Sequence, residues 1–244
     1  MIDFRDHVEG AAGSRHSMTD NLEGRVPWNA RDALSGVAVV WLSTLFTVGL
    51  VSSIESGESS ATEVVTTIAL LLNGVFIVVI WLLAIRKHRA SWADLGLARS
   101  KVRLGILLAL PAVGLSLVFG GAYSLLLMEL GADDLLPPEL PEAALGEGVY
   151  RLTNIVSIGL VAPFVEEMFF RGFVLAALLQ VMGRISAVVV GSLLFAVSHL
   201  VVTAMLPVFV TGLILSCLYI KTRSIWPPFA AHAAQNLLVV SLRL

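Results

Sequence analysis

The chain has 244 residues, of which 57% are hydrophobic and only 14% are charged, and its mean hydropathy is +0.88. Because soluble domains are about one quarter charged, this composition excludes an ordinary soluble domain and indicates a protein with several membrane spans. The net charge is -2, and no basic patch with interleaved aromatic residues is present, so we expect no nucleic-acid partner. A single cysteine, Cys217, excludes an intrachain disulfide.

Seven apolar segments follow a polar stretch that we interpret as a cytoplasmic tail, residues 1–33. We expect each to be a helix, because a strand edge leaves backbone groups without partners in lipid. Pro163 should kink the fourth segment or free a carbonyl group there. The predicted fold is an all-α polytopic membrane protein with about seven transmembrane helices around a cytoplasm-facing cavity. The segments cover residues 34–54, 64–85, 104–128, 152–182, 185–203, 205–220 and 226–242.

The charges in the predicted loops indicate the orientation of the chain. Thirteen of the 16 basic residues lie in the tail and in the alternate loops around positions 86–103, 184 and 221–223. The opposite loops, at 55–63 and 129–147, are acidic. Because basic loops stay in the cytoplasm, we expect a cell-membrane protein with its N-terminus inside and its C-terminus outside.

A few ionisable or strongly hydrogen-bonding side chains remain inside the predicted spans. Each charge at a helix centre costs about 2.5–3.5 kcal/mol on insertion scales, so these side chains should face inward and find partners. Glu167 and Arg171 are four residues apart and should pair on one helix face. Glu166 is rotated by about 100° from Glu167 and is left without the arginine. The complete set is Glu166, Glu167, Arg171, His199, His232 and Asn236. We expect one cavity, open to the cytoplasm, to gather Glu166, His199, His232 and Asn236.

These residue types suit the hydrolysis of an amide bond in two ways. A glutamate and a histidine can deprotonate a shared water, while a histidine and an asparagine donate hydrogen bonds to an oxyanion. Alternatively, one glutamate and two histidines are a zinc ligand set that leaves a fourth position for water. In that case Glu166, His199 and His232 would hold Zn2+.

Three motifs resemble those of a known family. "EEMFFR" (166–171) resembles EExxxR, "FAVSH" (195–199) resembles FxxxH, and "HAAQN" (232–236) resembles HxxxN. In this order they are similar to the motifs of the CPBP family of intramembrane proteases, which includes the type II CAAX prenyl endopeptidases. "WADLGL" (92–97) also resembles a family feature. The resemblance covers residues 92–242.

The resemblance implies a role for each motif residue. Glu166 would activate a water with help from His199, and His232 with Asn236 would form the oxyanion hole. Glu167 and Arg171 would hold Glu166 in place. We favour this mechanism without a metal, and zinc remains the alternative.

The resemblance also implies a substrate and a division of the chain. The substrate would be a membrane-anchored or lipidated, CAAX-like protein or peptide in the lipid bilayer. Residues 34–91 would form two N-terminal transmembrane helices, and residues 92–244 the protease core.

Two other functions use the same residues. Buried glutamate and histidine also form proton relays in transporters, although the paired interrupted helices typical of transport sites are not evident in the sequence. A non-catalytic membrane scaffold of the same fold is the other alternative. The residues also have a structural interpretation, in which the Glu167–Arg171 pair locks helices together and His232 with Asn236 joins helices by polar contacts.

Overall fold

The structure is a computed structural model that describes residues 25–54, 61–97, 102–140 and 145–242. Within these ranges the regular structure is helical and no strand occurs, so the predicted all-α class is confirmed. Most of the predicted tail, up to residue 24, lies outside the described residues. So do Glu55, Glu58 and Glu142 of the acidic loops.

The helices of the described ranges follow the order of the predicted segments, and we number them α1 to α7. Short helical turns at Ala93–Leu97, Asp133–Leu135 and Val202–Ala204 lie between them. Pro207 lies in the first turn of α6 and Pro227 in that of α7, where a proline costs no helical hydrogen bond. The bounds are α1 Ala30–Ile54, α2 Ala61–Ile80 with a wider turn at Trp81–Arg86, α3 Val102–Glu129, α4 over residues 148–178, α5 Arg184–Ser198, α6 Met205–Thr222 and α7 Trp226–Ser241.

Four stretches of the described residues are long and apolar enough to cross a membrane. They are Ala30–Leu50, Thr62–Arg86, Leu107–Glu129 and Val202–Thr222. Large aliphatic side chains cover their outer surfaces, and Leu107 and Leu110 of α3 are 69% and 72% exposed. Such surfaces suit lipid and not water. The chain is therefore an integral membrane protein, as its composition predicts.

The helix α4 is interrupted twice by π-helical winding. Two π-helical stretches alternate with α-helical turns, and Pro163 lies just after the first stretch. There the Ala162 N–H bonds to the carbonyl of Ser157, five residues back. Pro163 has no N–H to give to Ile158, so the Ile158 carbonyl is left without a helical donor, which confirms the predicted effect of the proline. The parts of α4 are Gly148–Val156 (α), Ser157–Val161 (π), Ala162–Glu167 (α), Met168–Leu175 (π) and Ala176–Leu178 (α).

The second half of α4 forms the centre of the core. All eight residues of Met168–Leu175 are buried. The Trp28 indole, which precedes α1, donates a 2.9 Å hydrogen bond from Nε1 to the Phe173 carbonyl. On another side, Gly172 lets the turn at Ala93–Leu97 come close, since a Cβ at this position would lie 2.4 Å from the Leu95 carbonyl oxygen. These contacts fix α4 relative to α1 and to the turn before α3.

Two predicted helix ends were wrong. The fourth segment was expected to reach residue 182, but α4 ends at Leu178. The fifth was expected to reach residue 203, but α5 ends at Ser198 because Leu200 adopts a φ of 55°. This left-handed backbone ends a helix and usually requires glycine. No glycine or proline marks this turn in the sequence.

Candidate active site

The Glu167 carboxylate is the most buried polar group of the site, with a side-chain exposure of 0%. Its Oε1 atom accepts hydrogen bonds from Arg171 Nη1 at 2.8 Å and from His232 Nδ1 at 2.9 Å. The predicted pair of Glu167 and Arg171 is therefore present, and His232 joins it from α7. Because a carboxylate accepts, His232 carries a proton on Nδ1 and its Nε2 atom points away from Glu167.

The Arg171 guanidinium joins three helices inside the bundle. It is 1% exposed, and its Nη2 atom donates to the Gly212 carbonyl of α6 at 3.3 Å. Its Cζ atom lies 4.3 Å from the ring centroid of Phe195 on α5. A desolvated cation over an aromatic ring gains about 2 kcal/mol. Arg171 is thus held by a carboxylate, a carbonyl group and an aromatic face.

Phe195, the first residue of the FxxxH motif, lies between the two histidines. Its ring meets His199 edge-to-face at a centroid distance of 4.7 Å and His232 at 5.8 Å. It is 1% exposed and carries Arg171 on its face. One aromatic ring therefore positions both imidazoles and the guanidinium, a role that the sequence spacing alone did not indicate.

His199 caps the C-terminal end of α5 with its imidazole. Its Nδ1 atom lies 2.9 Å from the Phe195 carbonyl oxygen. A carbonyl can only accept, so Nδ1 carries the proton and the neutral ring keeps a lone pair on Nε2. His199 is exposed, and its free ring nitrogen has the character of a base.

Glu166 and His199 line one cavity of about 230 Å³. The Glu166 side chain is 20% exposed, and its Oε2 atom lies 3.9 Å from His232 Nε2, which is too long for a hydrogen bond. Within the described residues that Oε2 atom is buried without a hydrogen-bond partner. The lone carboxylate expected from the sequence is therefore present beside a histidine. His232 and Asn236, which were expected in the same cavity, are not on its wall.

Asn236 instead bonds to the π-helical stretch Ser157–Val161 of α4. Its Nδ2 atom donates a 3.0 Å hydrogen bond to the Ile158 carbonyl. This is the carbonyl that Pro163 leaves without a helical donor, so the asparagine supplies the missing N–H from α7. Asn236 retains a second N–H for other partners.

The zinc alternative requires Glu166, His199 and His232 to surround one point. In the described ranges, no three His, Cys, Asp or Glu side chains are grouped closely enough to hold a metal ion. The residues as arranged do not fit a zinc ion.

Sequence reasoning missed the contribution of α1 and α2. Trp41 of α1 donates from Nε1 to the Ser198 hydroxyl at 2.6 Å, next to His199. Thr44 of α1 and Asn73 of α2 also line the cavity. One signal was available, because Asn73 is an amide inside a strongly apolar span.

Replacing Arg171 by methionine should remove the cation that faces the buried Glu167 carboxylate. We expect Arg171→Met to lower the free energy of unfolding by about 3–5 kcal/mol, because a buried charge is left unpaired. Thermal unfolding in detergent, followed by tryptophan fluorescence, measures the loss. In the matched double variant Glu167→Gln/Arg171→Met both charges are gone, and part of the stability should return. A single variant at least as stable as the double would contradict this account of the pair.

The hydrogen bond from Asn236 to the Ile158 carbonyl predicts that Pro163→Ala restores stability lost in Asn236→Ala. Asn236→Ala should cost about 1–3 kcal/mol, since a carbonyl loses its donor inside the bundle. Pro163→Ala returns a backbone N–H to α4, so Pro163→Ala/Asn236→Ala should recover at least half of that loss. The same unfolding measurement compares the four proteins. If the two substitutions are simply additive, Asn236 does not replace the proline's missing donor.

Two comparisons with known proteins bear on this site. Residues 148–238 match the model of the family described as "Type II CAAX prenyl endopeptidase Rce1-like". The chain is also 30% identical over 90 residues to "Putative membrane peptidase YdiL" of Bacillus subtilis (strain 168), and the match spans 37% of each protein. No solved structure matches the chain significantly. The matched segment contains all three motifs. Over this segment, which is less than half of the chain, the protein is therefore similar to a family of membrane proteases.

Proposed function

We propose that the chain is an intramembrane endopeptidase in which Glu166 and His199 activate a water molecule. The observation that carries the proposal is that one cavity is lined by the Glu166 carboxylate, whose Oε2 atom has no hydrogen-bond partner among the described residues, and by His199, whose Nδ1 bond leaves a lone pair on Nε2. A carboxylate and an imidazole that share a water are a general-base pair. The family match supports a protease of this kind.

The reaction follows from these two groups. Glu166 takes one proton from the water while the His199 Nε2 atom accepts a hydrogen bond from the hydrogen that stays on the oxygen, and the resulting hydroxide attacks the peptide carbonyl. The tetrahedral intermediate then collapses, the C–N bond breaks, and Glu166 passes its proton to the leaving amine. Both products leave with balanced protons, and the carboxylate is regenerated.

Glu167 and Arg171 act on this chemistry through His232. The ion pair fixes the His232 ring, whose Nε2 atom lies 3.9 Å from the Oε2 atom of Glu166. The oxyanion hole formed by His232 and Asn236 stays a prediction. In its support, Asn236 donates one N–H to α4 and keeps the other N–H for an oxyanion. His232, whose Nδ1 donates to Glu167, would donate from Nε2 only in its doubly protonated form.

The cavity favours a peptide segment over a whole lipid chain. Its volume of about 230 Å³ is below the roughly 300–1,000 Å³ of pockets that enclose drug-sized ligands. We therefore propose that the cavity holds the peptide around the scissile bond, while the anchor of a membrane-anchored or lipidated, CAAX-like substrate stays in the bilayer. A proton-coupled carrier would use the same Glu166 and His199, but neither it nor a non-catalytic scaffold would produce new protein N-termini that depend on Glu166.

We also propose the orientation that the basic loops indicate, with the N-terminus in the cytoplasm and the C-terminus outside the cell membrane. A reporter active only outside the cytoplasm, fused after Leu244, should be active, and the same reporter fused before Met1 should be silent. The reverse pattern would overturn this orientation.

Removing the base should abolish proteolysis without unfolding the protein. We expect Glu166→Gln and His199→Ala to lower turnover by at least a hundredfold, since general-base catalysis contributes about 10²–10⁴-fold. New protein N-termini are compared between membranes of cells with the wild type and with Glu166→Gln. Cleavage sites present with the wild type alone identify the substrates.

Two controls accompany that comparison. Substitution at Cys217, which is exposed and belongs to none of the three motifs, should leave every cleavage in place. Cleavage that persists undiminished in Glu166→Gln and His199→Ala would overturn the protease assignment. Loss of activity with a chelator, restored by zinc, would replace the metal-free mechanism with a metal-dependent one.

A further inference from the structure

The cavity that contains Glu166 and His199 has a second wall outside the segment that matches the family. Residues from α1 and α2 form it, with Val40, Ala69, Leu72 and Phe76 giving an apolar surface and Thr44 and Asn73 the polar groups. The family match begins at residue 148, after both helices. Whatever occupies the cavity therefore touches helices that the matched segment does not include.

Asn73 is an exceptional residue in this wall. It lies within the candidate span Thr62–Arg86, which has a mean hydropathy of 2.8, and it is 7% exposed. In the part of the chain that the structure describes, its hydrogen bond goes from Nδ2 to the Ser157 hydroxyl at 3.2 Å. An amide has two donors and an acceptor. One N–H and the Oδ1 atom of Asn73 are therefore left for the cavity that the residue lines.

A second polar pair between α2 and α4, Thr66 with Asn154, differs from Asn73 because it does not line the cavity. Thr66 of α2 donates a 2.9 Å hydrogen bond to Asn154 Oδ1 on α4, and Asn154 Nδ2 donates to the Leu145 carbonyl. Both side chains are buried, and neither lines the cavity. This pair joins the two helices, and the hydrogen bonds of both side chains are made within the protein. Asn73 joins α2 to α4 through one hydrogen bond. Its second N–H and its Oδ1 atom can bind a molecule in the cavity.

We propose that Asn73 binds the main chain of an extended peptide substrate through its free amide N–H and carbonyl oxygen. A substrate cleaved within the membrane has its backbone opened from helical pairing, and in lipid each unpaired N–H and C=O is costly. A side-chain amide offers a donor and an acceptor that match one peptide unit. This inference rests on the proposed endopeptidase function and assigns its substrate a binding position.

The position of Asn73 sets the length of substrate that it can reach. Its partner Ser157 precedes Glu166 by nine residues on α4, which is about 13 Å at 1.5 Å per residue. An extended peptide covers about 3.3 Å per residue. Asn73 should therefore contact the substrate about four residues from the scissile bond, on one side of it.

Asn73→Leu should weaken binding of the substrate and leave the chemical step intact. The probe is a dye–quencher peptide with four residues on each side of a cleavage site found with wild-type membranes, and the full chain is used in detergent. We expect KM to rise about three- to tenfold with kcat nearly unchanged, the effect of losing one or two neutral hydrogen bonds. Ser157→Ala should change KM less, because Asn73 keeps its amide. Thr66→Val is the matched control and should leave KM unchanged while lowering stability by a similar amount.

Shortened peptides test the predicted distance between the scissile bond and the substrate residue that contacts Asn73. Two further peptides keep two residues on one side of the scissile bond and four on the other. With the one that no longer reaches Asn73, the wild type and Asn73→Leu should have the same KM. If the wild type shows no Glu166-dependent cleavage, the proposed function fails and this inference with it. If cleavage occurs and Asn73→Leu keeps the wild-type KM, or shares a raised KM with Thr66→Val, this inference alone is overturned.

Discussion

The buried ion pair between Glu167 and Arg171 is the interaction on which the rest of the site depends. Two charges in an apolar bundle are stable only if they are paired and their remaining hydrogen-bonding groups are largely satisfied. Here both come from one turn of α4, so they can pair as soon as that helix forms. Their other partners, the His232 imidazole, the Gly212 carbonyl and the Phe195 ring, come from α7, α6 and α5. Four helices therefore meet around one pair.

This arrangement separates the two adjacent glutamates into different tasks. Glu167 is enclosed and neutralised, and its carboxylate positions a histidine. Glu166 lies against the cavity without a cation within hydrogen-bonding distance in the described residues. The adjacent residues point about 100° apart around the helix, which is enough to place one in the core and the other on a wall. A reactive carboxylate and a structural one can thus follow each other in sequence.

The HxxxN motif has a structural task besides any chemical one. His232 bonds to Glu167, and Asn236, one turn further along α7, bonds to the Ile158 carbonyl. Because α4 and α7 run in opposite directions, these two bonds fix the register of the helices over about two turns. Pro163 makes the second bond possible by withholding its own donor. Substitutions in this motif therefore change helix packing as well as the site, and activity and stability need separate measurements.

The sequence by itself determined the features that are local. It gave the all-α membrane class, the order of the helices, the Glu167–Arg171 pair and the carbonyl freed by Pro163, because each depends on composition or on residues within one or two turns. Only the tertiary structure decided that His232 bonds to Glu167, 65 positions away, and that Trp41 meets Ser198 across 157 positions. It also decided that α1 and α2 wall the cavity with Asn73, and that α5 ends at Ser198. The reason is that spacing defines the faces of each helix, whereas the faces that meet are chosen by packing between helices whose apolar surfaces are nearly alike in sequence.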